Sequence, residues 1–418
     1  MNLSAWLAYL ETLHPSEIEL GLDRISQVAE NLAIDFSRQT VVTVGGTNGK
    51  GSTCCFLESL LKSHGKRVGV YRSPHLVKYN ERISIDGVPV SDADLCRAFS
   101  KIEAARAGIS LSYFEFGTLA AFLIFADSQP DYLLLEVGLG GRLDAVNIID
   151  TDLAIITNIA LDHTEWLGDN REKIGFEKAG IMRSNKPVIF GESDIPASVV
   201  LFAESIGARL YQAGTDFSYQ QDERCWSWQG EDIHGRSYRL DMHPAQQSLL
   251  NFFPSNAALA VQAFLLLDVE KSAHTMEAAL NRASISGRFQ LLQRKTPIVL
   301  DVAHNPHAMA KLAANIKHFY PDKNVHVLIA MLATKDYQNS LNCLLPVARS
   351  WYLASLQNSR GTPAKILYNE LRNSGQEQVR LFDSVREAFQ AAEQSLDEND
   401  LLLVTGSFYT VAAVLELI

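Results

Sequence analysis

Residues 41–60 read VVTVGGTNGKGSTCCFLESL, and this stretch decides how the rest of the chain is read. An apolar, β-branched run stops at a glycine-rich turn and a helical pattern starts directly after it, the strand–turn–helix context of a phosphate-binding loop. Gly45, Gly46, Gly49 and Gly51 let backbone amides converge on one anion, Lys50 adds a mobile cation, and the next helix contributes the positive end of its dipole. The string departs from GxxxxGK[ST], because three residues separate Gly45 from Gly49 and Gly51 stands between Lys50 and Ser52. By itself the loop indicates a nucleotide and no particular reaction.

Outward from it, short runs rich in Val, Ile and Leu alternate with longer helical patterns, the mark of βαβ units on a parallel sheet covered on both faces. RVGVYRS, DYLLLEVG, DLAIITNIA and KPVIFG are the further strands, with STCCFLESLLKSHG, DLCRAFSKIEAARAG and GTLAAFLIFADSQ as helices between them. From Tyr211 to His243 the composition shifts to Gln, Trp, Ser, Tyr and Asp, which predicts a small antiparallel excursion. A second strand–turn–helix series opens at IVLDVAHNPHAMAKLAANIKHF and runs to the C-terminus. The expected fold class is α/β: an N-terminal P-loop-type parallel-sheet ATPase domain over 1–287, a linker over 288–296, and a smaller Rossmann-like α/β domain over 297–418. Small-molecule sites favour the clefts such domains form.

Composition narrows the partners. The 418 residues carry a formal net charge of -11, so no global field draws nucleic acid, and anions must be held by local cations or amides. Five scattered cysteines without CxxC spacing argue against a disulfide framework or a zinc site. The N-terminus has no basic segment leading into an apolar core, and no apolar run reaches the ~20 residues of a membrane helix. A soluble cytoplasmic protein with no membrane partner is expected.

Glu136 ends an apolar run, where a ligand beyond the carboxyl end of a parallel strand would meet it. His163 ends the next run, so the two side chains are expected to converge across adjacent strand ends, with Ser73 as a further oxygen donor, as a Mg²⁺ site beside the phosphates. Histidine is an unusual magnesium ligand, and for an isolated Asp–His pair at a strand end a structural hydrogen bond between Asp162 and His163 is the favoured account. Lys178, in REKIGFEKAGIMR, reads from spacing alone as a solvated helix cation. Arg288, Asp301 and His304 read as polar residues at a strand end of the second domain.

Taken together, GGTNGKGS, SPHLVKYNERI, YFEFGTLAA, EVGLGGRLDAVN, TNIALDHTEWLG, REKIGFEKAGI, GRFQ, DVAHNPHA and TGSF resemble the folylpolyglutamate synthases of the Mur ligase group, in particular the bacterial bifunctional enzymes that also make dihydrofolate. The strings run in order from Gly45 to Phe408, nearly the whole chain. The resemblance implies that Thr47, Asn48, Gly49, Lys50 and Gly51 cradle the phosphates of ATP, that Ser73, Glu136 and His163 hold magnesium, with two ions, and that Lys178 carries a CO₂-derived carbamate. It implies that Asn256 lies near the adenine and that Arg288 and Asp301 reach the ATP, so that ATP would draw the domains together.

For the pterin it implies Glu19, Leu20, Gly21 and Leu22 of EIELGLDRI, Ser112, Tyr113, Phe114 and Glu115, and Leu143, Asp144 and Ala145. Asp144 would pair with the donor edge of the ring and Phe114 or Phe116 would stack on it. Val146 departs from the family, which usually has threonine after LDA.

The activity implied is that of an ATP-dependent acid–amino-acid ligase of folate biosynthesis. It would activate a carboxylate as an acyl phosphate and join L-glutamate to dihydropteroate and to reduced folates. Lys50 would act at the phosphates, the carbamate of Lys178 would help place the second metal ion, and His304 or Lys50 would stabilise the tetrahedral anion. The alternative is an enzyme that only extends folates. The protein is expected to be a monomer.

Overall fold

The structure, a computed structural model, describes residues 1–14, 19–222, 225–244, 248, 252–358 and 360–418. The chain divides into two compact units, Met1–Ala283 and Ser284–Ile418.

The first unit is built on strands β1 (Thr40–Gly45), β2 (Val68–Tyr71), β3 (Ile83–Ile85), β4 (Val88–Pro89), β5 (Tyr132–Glu136), β6 (Leu153–Ile156), β7 (Pro187–Phe190) and β8 (Arg209–Gln212). They form one sheet in the order β4-β3-β2-β5-β1-β6-β7-β8. All pair in parallel except β3 and β4, which return antiparallel along one edge. Every residue of β5 and of β6 is buried, because helices cover both faces and an alternating polar face would have no solvent to meet. The helix Lys50–Ser63 buries Phe56, Leu57, Leu60 and Leu61, and Tyr113–Ser128 is buried from Glu115 to Phe125.

The compositional shift after Tyr211 is an antiparallel sheet of β9 (Ser218–Gln221), β10 (Trp226–Glu231) and β11 (Ser237–Met242). Its alternation turns Trp226 and Trp228 inward, and both are fully buried. Residues 223–224 of that stretch lie outside the described residues.

The second unit holds β12 (Gln290–Leu292), β13 (Ile298–Leu300), β14 (Asn324–Ile329), β15 (Ala348–Ala354), β16 (Val379–Phe382) and β17 (Asp400–Thr405), in the order β12-β13-β17-β14-β15-β16. Only β12 is antiparallel. The segment expected as a linker over 288–296 is therefore part of this fold. Phe289 is buried, Gln290–Leu292 pairs with Ile298–Leu300, and the division between units falls earlier, after Ala283. A run of three strand residues is too short for periodicity to separate from a linker.

None of the five cysteines is in a disulfide, and no described helix is long and apolar enough to cross a membrane.

Candidate active site

The strand order sets the site. β1 lies between β5 and β6, with Val44 level with Glu136 and Gly45 level with Ile156, so the glycine loop leaves the sheet between two other strand ends. Gly46 has φ 135°, and a Cβ there would stand 1.9 Å from Thr157 Oγ1; at Gly49, φ 85°, it would stand 2.2 Å from Asn256 Nδ2. These two glycines are needed for backbone conformation and for close approach. Gly49 caps the helix that begins at Lys50. Lys50 Nζ curls back to donate to Gly46 O at 3.1 Å and Thr47 O at 3.3 Å.

Two expected phosphate amides have other acceptors. Thr47 N donates to Asn158 O and Asn48 N to Asn158 Oδ1, each at 3.0 Å. The groups that fit an anion are the first-turn amides that include Gly51 and Ser52, since the first N–H groups of a helix have no intrahelical acceptor. Asn256 is buried against this loop, its Nδ2 donating to Gly49 O and Thr53 Oγ1 at 3.2 Å each.

Glu136 is 5% exposed at the end of β5, and Ser73 N, following the adjacent β2, donates to its Oε2 at 3.3 Å. Those two are brought together. His163 is not on an adjacent strand end as expected, because β1 stands between β5 and β6; a linear sequence lists strands in chain order and cannot reveal that insertion. His163 has φ 51° and opens the short helix Thr164–Leu167, with its backbone N donating to Asp162 Oδ1 at 2.9 Å. The Asp162–His163 hydrogen bond thus exists and uses the backbone, and the imidazole Nε2 also lies 4.0 Å from Asp162 Oδ1.

Among the described residues no group of three His, Cys, Asp or Glu has metal-holding geometry. A buried carboxylate with a neighbouring serine hydroxyl nevertheless suits Mg²⁺, which takes few protein oxygens and completes its shell with water and phosphate.

Lys178 is not a surface cation. On the helix Arg171–Ala179 it is 3% exposed, and its ammonium is pushed down to about 7 by burial and then by the charge of Lys50, with Asp162 and Asp144 opposing. The helical charge pattern disguised this, since its neighbours Glu172 and Lys173 are exposed.

The three segments implied for the pterin are joined by contacts. Arg24 Nη2 donates to both oxygens of the buried Glu115 at 3.1 and 3.2 Å, and its Nη1 pairs with Glu19, whose other oxygen lies 2.6 Å from His14 Nε2. Leu20 and Leu22 are half-buried, and Leu22, after Gly21, leads into the helix Asp23–Asn31. Residues 17–18 of the quoted EIELGLDRI lie outside the described residues.

Ser112 and Glu115 form a capping box on the helix Tyr113–Ser128: Glu115 N donates to Ser112 Oγ at 3.3 Å, and Ser112 N to Glu115 Oε2 at 2.7 Å. Tyr113 is half-buried and shares the Arg82 guanidinium with Tyr79, at 5.7 and 5.3 Å from the ring centroids. Half-buried Phe114 packs so closely over Gly138 that a Cβ there would lie 2.6 Å from its Cζ. Phe116 is instead a core residue, fully buried and in ring contact with Trp6 and Phe99, so it presents no face for stacking.

Asp144 is buried, with Oδ2 accepting from Leu139 N at 2.8 Å and Oδ1 from Val146 N at 3.0 Å. Burial raises its carboxyl to about 6 despite those bonds. Leu143 beside it is half-buried and Ala145 buried.

In the second unit Asp301 is buried, accepting from Ala303 N at 2.8 Å and Phe289 N at 2.9 Å, and burial raises its pKa while Arg288 opposes. The Arg288 guanidinium lies 4.9 Å from the Phe408 ring centroid, and the His304 ring 6.1 Å from it. Arg288 and His304 therefore gather around Phe408, and Asp301 lies within electrostatic reach of Arg288. Sequence reasoning gave no role to Arg24, Asn158 or Phe408. All three stand inside quoted strings, EIELGLDRI, TNIALDHTEWLG and TGSF.

Comparison with known proteins identifies the family. Residues 44–237 match the Mur ligase middle domain and 287–408 the Mur ligase glutamate ligase domain. These matches define the class, a Mur ligase. The dihydrofolate synthase/folylpolyglutamate synthase of Escherichia coli K12 is 43% identical over 416 residues, covering 100% of this chain and 95% of the relative. That of Haemophilus influenzae is 39% identical over 430 residues, covering 98% and 96%. The structure of E. coli FolC in complex with DHPP and ADP superposes with a TM-score of 0.93 at 42% identity, covering 100% of this chain and 97% of that one. A bifunctional folylpolyglutamate synthase/dihydrofolate synthase with Mn, AMPPNP and L-glutamate bound gives 0.90 at 43%, covering 100% and 98%. The chain belongs to the dihydrofolate synthase/folylpolyglutamate synthase family.

Proposed function

We propose that this chain uses ATP and a divalent cation to join L-glutamate to dihydropteroate and, in a second activity, to reduced folates. One observation carries the proposal: in a chain collinear with the bifunctional relatives, the glycine loop and the buried Glu136 leave neighbouring central strands of one sheet.

A carboxylate is a poor acyl donor, so the γ-phosphoryl group passes to it first, giving an acyl phosphate and ADP. The glutamate amine then attacks the acyl carbon, its proton leaves to solvent, and phosphate departs. Magnesium, two ions on this reading, supplies charge neutralisation and alignment of the phosphoryl oxygens; Ser73, Glu136 and His163 would hold it. Gly49, Gly51 and Lys50 bind the phosphates, with Thr47 and Asn48 shaping the loop. Asn256 lies on the nucleoside side, and Arg288 and Asp301 also serve the nucleotide. His304 or Lys50 stabilises the tetrahedral anion.

Lys178 is assigned a carbamate, formed when its neutral amine adds to CO₂ and releases a proton. An amine with a pKa of about 7 supplies that neutral form at physiological pH. The pterin is assigned to Glu19–Leu22, Ser112–Glu115 and Leu143–Ala145. The ring would stack on Phe114 with its donor edge toward Asp144, whose carboxyl already accepts from the amides of Leu139, Val146 and Gly138 and keeps capacity for a further bond. The enzyme is taken to be a cytoplasmic monomer, which sedimentation and cell fractionation test.

Purified protein with ATP, Mg²⁺, L-glutamate and either dihydropteroate or a reduced folate should yield ADP and a product heavier by one glutamyl residue in both cases. Product from folate alone would leave only the extending activity, and product from neither would remove the ligase.

A further inference from the structure

The phosphate loop is fastened along one side by the segment that leaves β6. In addition to the two amide bonds from Thr47 and Asn48 to Asn158, Asn158 Nδ2 donates to Asn48 O at 2.8 Å, and Thr157 Oγ1 donates to the same oxygen at 2.6 Å. The Thr47 hydroxyl donates to Ala160 O at 3.1 Å and accepts from Ala160 N at 3.0 Å. Because a Cβ at Gly46 would collide with Thr157 Oγ1, the loop meets this segment with no room to slide.

The far side of the segment is fixed too. Ile159 N donates to Glu192 Oε2 at 3.0 Å, and Arg171 Nε donates to Ile159 O at 3.0 Å. The chain then reaches Asp162 and His163, three residues beyond Ala160.

An asparagine whose amide oxygen and nitrogen are both matched to the backbone of a neighbouring loop is placed to hold that loop in register. We propose that Asn158 is a positioning residue that joins the phosphate loop and the His163 segment into one mechanical body, so that a nucleoside diphosphate or triphosphate bound in the loop orders His163 as well. The proposal rests on the loop's being the nucleotide site. Asn158 touches no reacting atom in this role. Its effect is transmitted through Asn48 on one side and through the backbone of residues 159–163 on the other.

Hydrogen exchange of the full-length protein, followed by mass spectrometry with and without saturating ADP, reads this directly. In the wild type ADP should protect amides in both 46–49 and 159–163. In Asn158→Ala, titrated calorimetrically, ADP should bind about tenfold more weakly. At saturation it should still protect 46–49 and no longer protect 159–163. Asn158→Asp keeps the acceptor for Asn48 N but sets a carboxylate against Asn48 O, and should bind ADP more weakly than the alanine variant.

Thr157→Val, which removes one donor, is the milder variant should Asn158→Ala fail to fold, and its protection over 159–163 should fall partway. Unchanged ADP-induced protection of 159–163 in whichever variant folds overturns the proposal. A lowered melting temperature with that protection intact would show a fastening that only stabilises. Failure of the wild type to bind ADP is a different result, and removes the nucleotide site on which the proposal stands.

Discussion

The glycine loop and the segments assigned to the pterin lie in the same unit and use their side chains in opposite ways. Around the loop, Thr157, Asn158 and Asn256 reach in from other parts of the chain, and the loop's own contribution is mostly backbone. In the pterin segments the assigned side chains turn on their own neighbourhood: Ser112 and Glu115 cap a helix, Asp144 caps a turn, and Glu115 also meets Arg24. A phosphate chain is recognised by amides whose geometry is fixed from outside. A flat heterocycle is left with ring faces and with the second lone pairs of carboxylates already in use. Substituting residues of the first kind should weaken nucleotide binding without touching the reacting atoms, whereas those of the second should separate into binders and structural caps.

Five substitutions break or sharpen that contrast. The largest effect is expected from Glu136→Gln, which removes the buried anion at the end of β5. Turnover should fall about a thousandfold with the melting temperature little changed, and near-normal kcat would remove its metal role.

Next is Lys178→Ala, expected to cost about a hundredfold in kcat, with partial recovery on adding a short-chain carboxylate. Because its amine titrates near 7 in the folded protein and near its ordinary 10.5 when unfolded, the unfolded chain binds the extra proton between those values. The wild type should gain stability from this site as pH rises through that window, and the alanine variant should lack that slope in chemical denaturation.

Smaller, at about tenfold in KM for dihydropteroate, are Asp144→Asn and Phe114→Ala, with ATP binding retained. Asp144 also has a pH signature. With its folded carboxyl near 6 against an ordinary 3.8, its stabilising contribution is complete below the lower value and is lost as pH rises through the higher. Asp144→Asn should flatten that decline. An unchanged KM in both variants would move the pterin elsewhere.

Smallest is Ser112→Ala, expected to lower stability by about 1 kcal/mol through the lost cap and to leave KM unaltered. A rise in KM there would show that the capping box itself meets the ligand.

Much of the fold was legible because strands buried on both faces leave unbroken apolar runs, and the strands at Thr40, Val68, Tyr132, Leu153 and Pro187 stand where those runs lie. Their order in the sheet was not, so the strand of Glu136 and the strand that precedes His163 were read as adjacent although β1 stands between them. Lys178 looked exposed because helical charge patterns do not register which turn faces inward. Phe116 looked like Phe114 because two aromatic residues two apart on a helix face different ways, one to the core and one to the surface. The division at Ala283 was missed for want of a glycine- or proline-rich linker to mark it.

The fastening of the glycine loop also bears on how the protein is made. Asn48 precedes its partner Asn158 by 110 residues, and Gly49 precedes Asn256 by 207. At ordinary rates of synthesis, on the order of ten seconds or more separate the emergence of the loop from that of its last clamp. Until Asn256 leaves the ribosome the nascent chain holds an unfinished phosphate cradle, so nucleotide competence comes late in the life of the polypeptide, after most of the surrounding sheet can pair.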